Sequence, residues 1–244
     1  MPPYKTFHFK SLTSTQDKAK EFAKKGLSNI VVVADKQTQG RGRFRRKWHS
    51  SKGGLWISIL LKPGNIENIQ YLTFAAAIAV VKSIKKIAKV NTKIKWPNDV
   101  HYEGKKLCGI LTEGFFGKDS HVIIGIGLNL SQNGFPDDIK ETATSLKFIT
   151  QKNFSREIFL NCISEKFFAL CEKFFNCKNS DGILKLWKRY CDTIGKEMTV
   201  SAKTGTFLGK AVGVDSDCNL LLKLKGGTIK KIVEGDITVR CLQL

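Results

Sequence analysis

Residues 37–48, with the sequence QTQGRGRFRRKW, combine glycines and arginines in a stretch that is unsuited to a helix or a buried strand. Because it lies between two apolar runs, it is predicted to be a loop between two strands. Gly40 and Gly42 would let backbone amides approach a ligand closely, while the forks of Arg41 and Arg43 match carboxylate and phosphate oxygens. The segment predicts a site for a negatively charged ligand, with a solvated, mobile basic loop as the alternative.

Two further segments place polar side chains at the ends of predicted strands. In residues 95–99, KWPND, a proline stops the strand and an Asn-Asp pair follows, and Lys106 comes seven residues after Asp99 across a hairpin turn. A cation and a carboxylate could therefore reach one pocket, although an exposed ion pair would have the same spacing. Residues 125–129, GIGLN, end a strand with small residues and one amide, which suits close approach to a flat ring or a phosphate. A tightly packed strand with a polar end is the alternative.

Composition sets the class of protein. The chain has 244 residues, of which 42% are hydrophobic, which is enough for a sizeable core in one domain or in a large domain with a small appendage. Lys and Arg exceed Asp and Glu by 41 − 21 = 20, which predicts attraction to polyanions. The lysines recur along the whole chain, so a solvated surface is favoured over a nucleic-acid-binding face, and no DNA-reading motif stands out.

The cysteines and the N-terminus bear on the compartment. Seven cysteines form no Cys-x-x-Cys pair and no cluster with zinc spacing, which indicates reduced thiols in the cytoplasm. The N-terminal residues lack the apolar core of a signal peptide, and no apolar run is long enough to span a bilayer. We therefore expect no membrane partner.

The periodicity of the chain predicts a mixed α/β (α+β) domain followed by a small β domain. Residues 14–17, STQD, match a helix capping box, and Gly26 is predicted to end that helix. From about residue 195 short strands alternate with glycine-rich turns, which indicates a small β-barrel, so the domains are predicted to be 1–194 and 195–244. The remaining predicted elements are strands 30–34, 55–61, 107–113 and 122–130 and helices 69–89, 155–175 and 183–191.

The motifs occur in the order and spacing of a known family. Gly40 to Arg43 followed by Trp48 and GGL at 53–55, then KWPND at 95–99, GKKLCGIL at 104–111 and IGIGLN at 124–129, resemble the biotin protein ligases over nearly the whole chain. The resemblance implies a mixed central sheet flanked by helices, like the class II aminoacyl-tRNA synthetase core, with a small C-terminal β-barrel. It also implies the type without an N-terminal DNA-binding domain, because few residues precede Ser14.

The activity implied by the resemblance has two steps. Biotin and ATP, with Mg²⁺, form biotinyl-5′-AMP and pyrophosphate, and a lysine of a biotin carboxyl carrier protein or domain, such as that of acetyl-CoA carboxylase, then takes the biotin. The resemblance also allows a homodimer and implies no specific DNA partner. Two alternatives stay open: a lipoate or octanoate ligase, whose Arg-Arg-x-x-Gly-Gly-Gly signature is absent here, and a basic nucleic-acid-binding protein.

The resemblance also implies roles for residues of this chain. The implied catalytic residues are Lys106, Arg41, Arg43 and Asp99, with Asp99 also near the Mg²⁺. The implied biotin-binding residues are Ser14, Thr15, Gln16, Gln37, Gly40, Arg41, Gly42, Arg43, Lys106 and Gly109, the last leaving room for the thiophane ring and valeryl chain. The implied nucleotide-binding residues are Arg43, Arg46, Trp48, Lys106, Asn129 and Arg240, with Trp48 first of all an anchor for the loop.

The chain departs from the family pattern at several positions. Gln39, Phe44 and Arg45 make the basic loop bulkier than usual, and Gln16 stands where Asn is common. Cys108 takes a position that is usually small and unreactive, so inhibition by an alkylating reagent is expected. A loop that covers the adenine is expected within residues 133–146, without an assignment for each residue.

Overall fold

Two β-sheets and a helical layer make up the chain in a computed structural model that describes residues 4–62, 69–117, 120–175, 180–202 and 204–239. The larger sheet is mixed, because β1 and β2 run parallel while its other neighbouring strands are antiparallel. Its strands are β1 (Lys5–Phe9), β2 (Ile30–Ala34), β3 (Leu55–Leu61), β4 (Lys93–Lys95), β5 (Asp99–Tyr102), β6 (Lys105–Phe115) and β7 (His121–Leu128), in the spatial order β1-β2-β3-β7-β6-β5-β4. The predicted mixed sheet flanked by helices is confirmed.

Helices cover both faces of this sheet. Helix α1 (Thr15–Lys24) packs against β2, β3 and β7, whereas α2 (Gln70–Ala88) packs against strands that include β6 and β7 and against the two longer helices of the outer layer. Since both of its faces are covered, β3 is buried at every position and its sequence, LWISILL, is nearly continuous in apolar residues. The outer layer consists of α3 (Leu146–Thr150), α4 (Arg156–Phe175) and α5 (Ser180–Tyr190). The sequence did not predict β1 or the short α3.

The N-terminus of α1 brings polar residues into the interior. Ser14 caps the helix by accepting a hydrogen bond from the backbone N–H of Gln16, and Gly26 with φ of +75° follows its last turn. Ser14, Thr15 and Gln16 are all buried. The predicted helix start therefore places three polar side chains against the large sheet.

The C-terminal part forms a second, antiparallel sheet of five strands. These are β8 (Glu197–Ala202), β9 (Gly205–Val214), β10 (Leu220–Leu224), β11 (Ile229–Ile232) and β12 (Asp236–Val239), in the order β11-β10-β9-β8-β12. A small β domain is thus present as expected, and for the described residues the recorded pairing leaves β11 and β12 at its edges. The division at residue 194 stays a proposal.

Polar contacts join the two sheets. The indole of Trp96 donates a hydrogen bond to the carbonyl of Cys218 at 2.9 Å, and the hydroxyl of Tyr71 donates to the carbonyl of Ser216 at 2.5 Å. Apolar residues of both sheets also belong to one buried cluster. The β domain is therefore fixed against the larger sheet. No helix in the described part of the chain is long and apolar enough to cross a membrane.

Replacing Phe74 by Ala should destabilise the large domain. Phe74 on α2 is fully buried and stacks on Trp187 of α5, with ring centroids 4.2 Å apart. Loss of a buried aromatic ring typically costs about 3–5 kcal/mol, whereas Phe116→Ala at an exposed position should change stability by only about 0.5 kcal/mol. Urea unfolding of both variants measures the difference, and equal losses would contradict this packing.

Candidate functional site

Three glycines of adjacent strands form the floor of the main cavity. Across β6 and β7, Gly109 pairs with Gly127 and Leu111 pairs with Gly125. Gly125 and Gly127 are two residues apart, so they lie on the same face of the sheet. Because no side chain rises from these glycines, ligands and neighbouring side chains can approach the backbone closely. The cavity has a volume of about 230 Å³.

Hydroxyl and amide groups line one end of the cavity. The side-chain oxygen of Gln37 accepts hydrogen bonds from the backbone N–H of Thr15 at 2.7 Å and from its hydroxyl at 3.1 Å. Ser58 of β3 donates to the Thr15 hydroxyl at 2.8 Å, and the Gln37 amide donates to Ser50 at 2.8 Å. This chain of hydrogen bonds fixes the positions of the side chains and the directions of their donors and acceptors, so this end is a rigid polar surface.

Gln16 lies at the same end, above Gly125. Its amide donates to Glu113 at 3.0 Å and to the carbonyl of Leu111 at 3.4 Å. Its Oε1 is buried without a hydrogen-bond partner among the described residues. A buried acceptor of this kind normally needs a donor, so a ligand N–H can satisfy it. Ser14 lines the cavity as well, although its hydroxyl already caps α1.

The indole of Trp48 covers the middle of the floor. A Cβ on Gly127 would lie 2.3 Å from Trp48 Nε1, and one on Gly109 would lie 3.0 Å from its ring. Nε1 itself is buried and has no hydrogen-bond partner among the described residues. The small size of Gly109 is therefore required first by the indole, rather than by a thiophane ring as the resemblance implies. Trp48 is an anchor of the loop, as expected, and also a wall of the cavity.

Lys106 and Asp99 meet at the other end. Lys106 Nζ lies 2.8 Å from Asp99 Oδ1 and 5.2 Å from the centre of the Trp48 ring. The two groups form a close ion pair without a hydrogen bond, because Asp99 Oδ1 is buried and has no hydrogen-bond partner among the described residues. The expectation that this cation and carboxylate reach one pocket is thus met by the geometry.

The charge of the lining is unbalanced. Among the described residues that line the cavity, Asp99 is the single carboxylate, against five cationic side chains: Arg41, Arg43, Arg46, Lys47 and Lys106. No group of three or more His, Cys, Asp or Glu side chains that could hold a metal occurs in the described part of the chain. A Mg²⁺ ion that arrives with a nucleotide needs only one or two carboxylates beside the phosphates, and Asp99 fits that requirement.

The basic loop is a folded hairpin over the cavity. Trp48 N–H donates to the Gly40 carbonyl and Gly42 N–H to the Arg46 carbonyl, each at 2.8 Å. We call residues 40–48 the lid hairpin. A Cβ on Gly40 would lie 2.3 Å from Ser50 Oγ and 2.5 Å from the Trp48 carbonyl, so glycine is required there for packing. At the tip, Arg43–Arg45 form one 3-10 turn.

The two arginines expected to clamp oxyanions have different surroundings. Arg41 is 2.8 Å from Asp17 and 3.6 Å from Glu113, so its guanidinium is held by carboxylates and ties the hairpin to α1 and β6. Its predicted role as an oxyanion clamp is not favoured by this geometry. Arg43 donates to Asn98 Oδ1 at 3.3 Å and to the carbonyl of Gly235 at 3.4 Å, both of which are neutral acceptors. Arg43 thus links the tip of the hairpin to Asn98 and to the backbone of Gly235.

The segment 133–146 forms another wall. It follows Asn129, whose amide donates to the Thr144 carbonyl at 3.0 Å and whose Oδ1 accepts from Gln132 at 2.9 Å. Asn129 lines the cavity and its amide helps to fold this segment, with a second N–H and a second lone pair left over, so the direct nucleotide contact expected of it stays a prediction. Lys106 N–H donates to the Thr142 carbonyl at 2.7 Å, which fixes the segment beside the lysine.

Several lining residues were missed at the level of sequence. Phe135 and Ile139 are apolar residues within a loop rich in polar residues and glycine, and that contrast could have identified them. Arg240, the predicted phosphate contact, lies outside the described residues. The further lining residues without a predicted role include Lys47, His49, Asn98, Phe135, Ile139, Thr142 and Ala143.

Cys108 is placed where its thiol is inert. The residue is fully buried, and burial together with the field of Asp99 raises the pKa of its thiol well above the ordinary value. Because the thiolate is the nucleophile, the expectation that alkylation would inhibit the protein is corrected: in the folded chain this thiol is neither accessible nor ionised.

Iodoacetamide at pH 8 should leave Cys108 unmodified in the folded protein. The same reagent in urea should modify it, because unfolding restores an ordinary thiol pKa and exposes the sulfur. Mass spectrometry of the peptide that contains Cys108 measures both states, with the urea sample as the matched control. Rapid labelling of the folded protein would show that Cys108 is exposed.

Comparison with known proteins identifies the family of the chain. Residues 7–129 match the Biotin/lipoate A/B protein ligase family, and residues 193–240 match the Biotin protein ligase C terminal domain. The Bifunctional ligase/repressor BirA of Bacillus subtilis is 43% identical over 237 residues, which cover 93% of this chain and 71% of that relative.

Solved structures show the same architecture. A biotin protein ligase from Aquifex aeolicus in complex with biotin and ATP superposes with a TM-score of 0.86 at 33% identity, covering 97% of this chain and 98% of that one. A biotin protein ligase from Leishmania major in complex with biotinyl-5-AMP, at 24% identity and a TM-score of 0.66 over 95% and 99% of the chains, shares the fold. Because the family matches half of this chain and the Bacillus relative is 43% identical, the chain belongs to the biotin/lipoate A/B protein ligase family.

Proposed function

We propose that this protein is an ATP-dependent biotin protein ligase that forms biotinyl-5′-AMP and transfers the biotin to a lysine of a carrier protein. The observation that carries the proposal is the order of chemical groups along one cavity. Hydroxyls and amides line one end, a glycine floor under an indole forms the middle, and cations line the other end. Biotin has the same order: a polar ureido ring, an apolar thioether ring and chain, and a carboxylate.

The polar end suits the ureido group. Thr15, Gln37 and Ser58 form a hydrogen-bonded chain that fixes donors and acceptors in place before any ligand arrives. The buried, unsatisfied Oε1 of Gln16 offers an acceptor for a ureido N–H, and this supports a role for a residue whose side chain differs from the common Asn. Fixed groups of this kind discriminate strongly, because a ligand without the matching hydrogen bonds leaves them unpaired.

The cationic end suits the meeting of two anions. In the first step an oxygen of the biotin carboxylate bonds to the α-phosphorus of ATP, the bond from that phosphorus to the bridging oxygen breaks, and pyrophosphate leaves with both electrons. Both reactants are negative, so the barrier is lowered chiefly by positioning and by positive charge. Lys106 lies beside the indole at that end, and its ammonium can bridge the carboxylate and the α-phosphate.

ATP would occupy the space between the lid hairpin and the 133–146 segment. Arg43, Arg46 and Trp48 line this side, and Phe135 and Ile139 provide apolar surface for a base. Asp99 would approach the Mg²⁺ that accompanies the phosphates. When it is bound, this ion supplies positive charge. The adenylate that forms is a reactive anhydride, so a hairpin that covers the cavity also excludes water.

In the second step the neutral amine of the carrier lysine attacks the acyl carbon of the adenylate. A C–N bond forms, the C–O bond to AMP breaks, and the amine loses a proton. The carrier is proposed to be a biotin carboxyl carrier domain. We also propose that the protein acts in the cytoplasm, without specific DNA binding, and that it is compatible with a homodimer.

Biotin-dependent exchange of pyrophosphate into ATP is the experiment that tests this function. The alternative substrates are lipoate and octanoate, which lack a ureido group and would leave the buried Oε1 of Gln16 without a donor. Exchange with lipoate or octanoate but not with biotin would refute the assignment. A separate titration with duplex DNA should show only weak binding that falls steeply with salt and is independent of sequence.

Replacing Lys106 by Ala should reduce exchange by roughly a hundredfold or more, the usual effect of removing one group that stabilises charge in the transition state. Lys105→Ala is the matched control, because Lys105 is the exposed neighbour of Lys106 on β6. Exchange rates and thermal unfolding of both variants are to be measured. Substantial exchange by a folded Lys106→Ala variant would remove Lys106 from catalysis.

Replacing Arg43 by Gly should let the adenylate escape into solution. The variant loses the hydrogen bonds to Asn98 and to the Gly235 carbonyl, and with them the fixed position of the hairpin tip. Quenched-flow or chromatographic measurement of free biotinyl-5′-AMP should show faster release than from the unmodified chain. Arg45→Gly, at the same tip, is the comparison variant. Equal retention of the adenylate in Arg43→Gly would contradict the role of the lid hairpin as a cover.

A further inference from the structure

Arg43 stands where the cavity meets a second, smaller one between the two domains. This smaller cavity, of about 60 Å³, shares Arg43 and Asn98 with the main cavity and also touches Cys218 and Val233 of the β domain. The guanidinium therefore lies between the main cavity and the smaller cavity at the contact of the two domains. Its position depends on groups from both sides.

On the side of the large sheet, Arg43 is held by Asn98. The Asn98 amide donates to the Ile110 carbonyl at 2.6 Å, and the Ile110 N–H donates to the Asn98 carbonyl at 3.0 Å. The residue is almost completely buried, so its side chain has little freedom. Because the amide nitrogen is fixed on β6, the oxygen Oδ1 is directed at Arg43.

On the side of the β domain, Arg43 is held by the carbonyl of Gly235. A Cβ on Gly235 would lie 3.0 Å from Val200 Cγ1 and 3.1 Å from the Ser201 carbonyl oxygen, so this backbone is packed tightly on β8. The hydrogen bonds of Trp96 and Tyr71 to the β domain keep that domain in place. The tip of the lid hairpin thus bonds to both domains through one side chain.

We propose that Asn98 is a positioning residue for Arg43, and that Asn98 and the Gly235 carbonyl together form a joint through which the β domain holds the lid hairpin over the adenylate. The proposal rests on the proposed biotin ligase function. Asn98 itself need not touch the substrates, since its effect is transmitted by the guanidinium. Its neighbour Asp99 has another role, because its carboxylate lies 2.8 Å from the ammonium of Lys106.

A double-mutant cycle tests whether Asn98 acts through Arg43. Asn98→Ala should raise the rate at which biotinyl-5′-AMP is released by about tenfold, the factor for one hydrogen bond to a charged group, while leaving KM for biotin unchanged. In an Arg43→Ala background the same substitution should add almost nothing. An additive effect in that background would overturn the proposal.

Two further variants separate positioning from folding. Asn98→Asp keeps an oxygen acceptor for Arg43 and should release the adenylate more slowly than Asn98→Ala; the same rate for both would count against the joint. If Asn98→Ala does not fold, Asn98→Ser carries the cycle instead. A chain without substitutions that shows no biotin-dependent exchange refutes the ligase function, whereas an active chain with an additive cycle refutes only the joint.

A variant and a matched control test the contact of Arg43 with the β domain. Gly235→Ala crowds Val200 and the Ser201 carbonyl, so we expect it to shift the Gly235 carbonyl that bonds to Arg43 and to raise adenylate release in the same direction as Asn98→Ala. Gly213→Ala on β9 is the control, because its added Cβ would meet only Leu221 at an ordinary 3.8 Å. Equal release rates for these two variants, with both folded, would show that the Gly235 carbonyl does not hold the hairpin.

Discussion

The absence of side chains at Gly109, Gly125 and Gly127 is the constraint on which the site depends. These residues lie at paired or neighbouring positions of β6 and β7, so one patch of the sheet is bare backbone. Trp48 fills part of that patch, and the N-terminus of α1 lies over the rest through Gln16. A methyl group at Gly127 would displace the indole, and with it the wall beside Lys106. The lid hairpin, the polar end and the cationic end are thus all built on the same three positions.

The two ends of the cavity differ in charge and in hydrogen bonding. The polar end is largely neutral: Thr15, Gln37 and Ser58 hydrogen-bond to one another and Gln16 Oε1 is left as an acceptor, which suits recognition of an uncharged ring. The opposite end keeps an excess of cations with one carboxylate, which suits two anionic reactants that must approach each other. Arg41 is the exception among the cations, because Asp17 and Glu113 hold it and convert it into an anchor for the hairpin.

Sequence patterns predicted which residues lie at the site, but they did not predict what several of these residues contact. Apolar runs predicted the strands, the capping box predicted α1, and the spacing of Asp99 and Lys106 predicted their meeting, since all three depend on local geometry. The roles of Arg41, Asn129 and Gly109 depend on partners far away in the chain, which spacing does not reveal. Burial of Cys108 is of the same kind: the thiol is inert because it lies in the buried core of the chain, and not because of its neighbours in sequence.

The bulk at the hairpin tip has a physical consequence for opening and closing. Phe44 and Arg45 have φ values of +55° and +59°, a left-handed conformation that costs residues other than glycine roughly 1–2 kcal/mol each. Opposing this cost are the bond from Gly42 N–H to the Arg46 carbonyl, the contact of Arg43 with the Phe44 ring, and the bonds of Arg43 to Asn98 and Gly235. A tip with glycine would adopt this conformation without strain, whereas here the bonds of Arg43 to Asn98 and Gly235 are among the contacts that oppose the strain. The positions that depart most from the family pattern therefore link the conformation of the lid hairpin to the contact of the two domains.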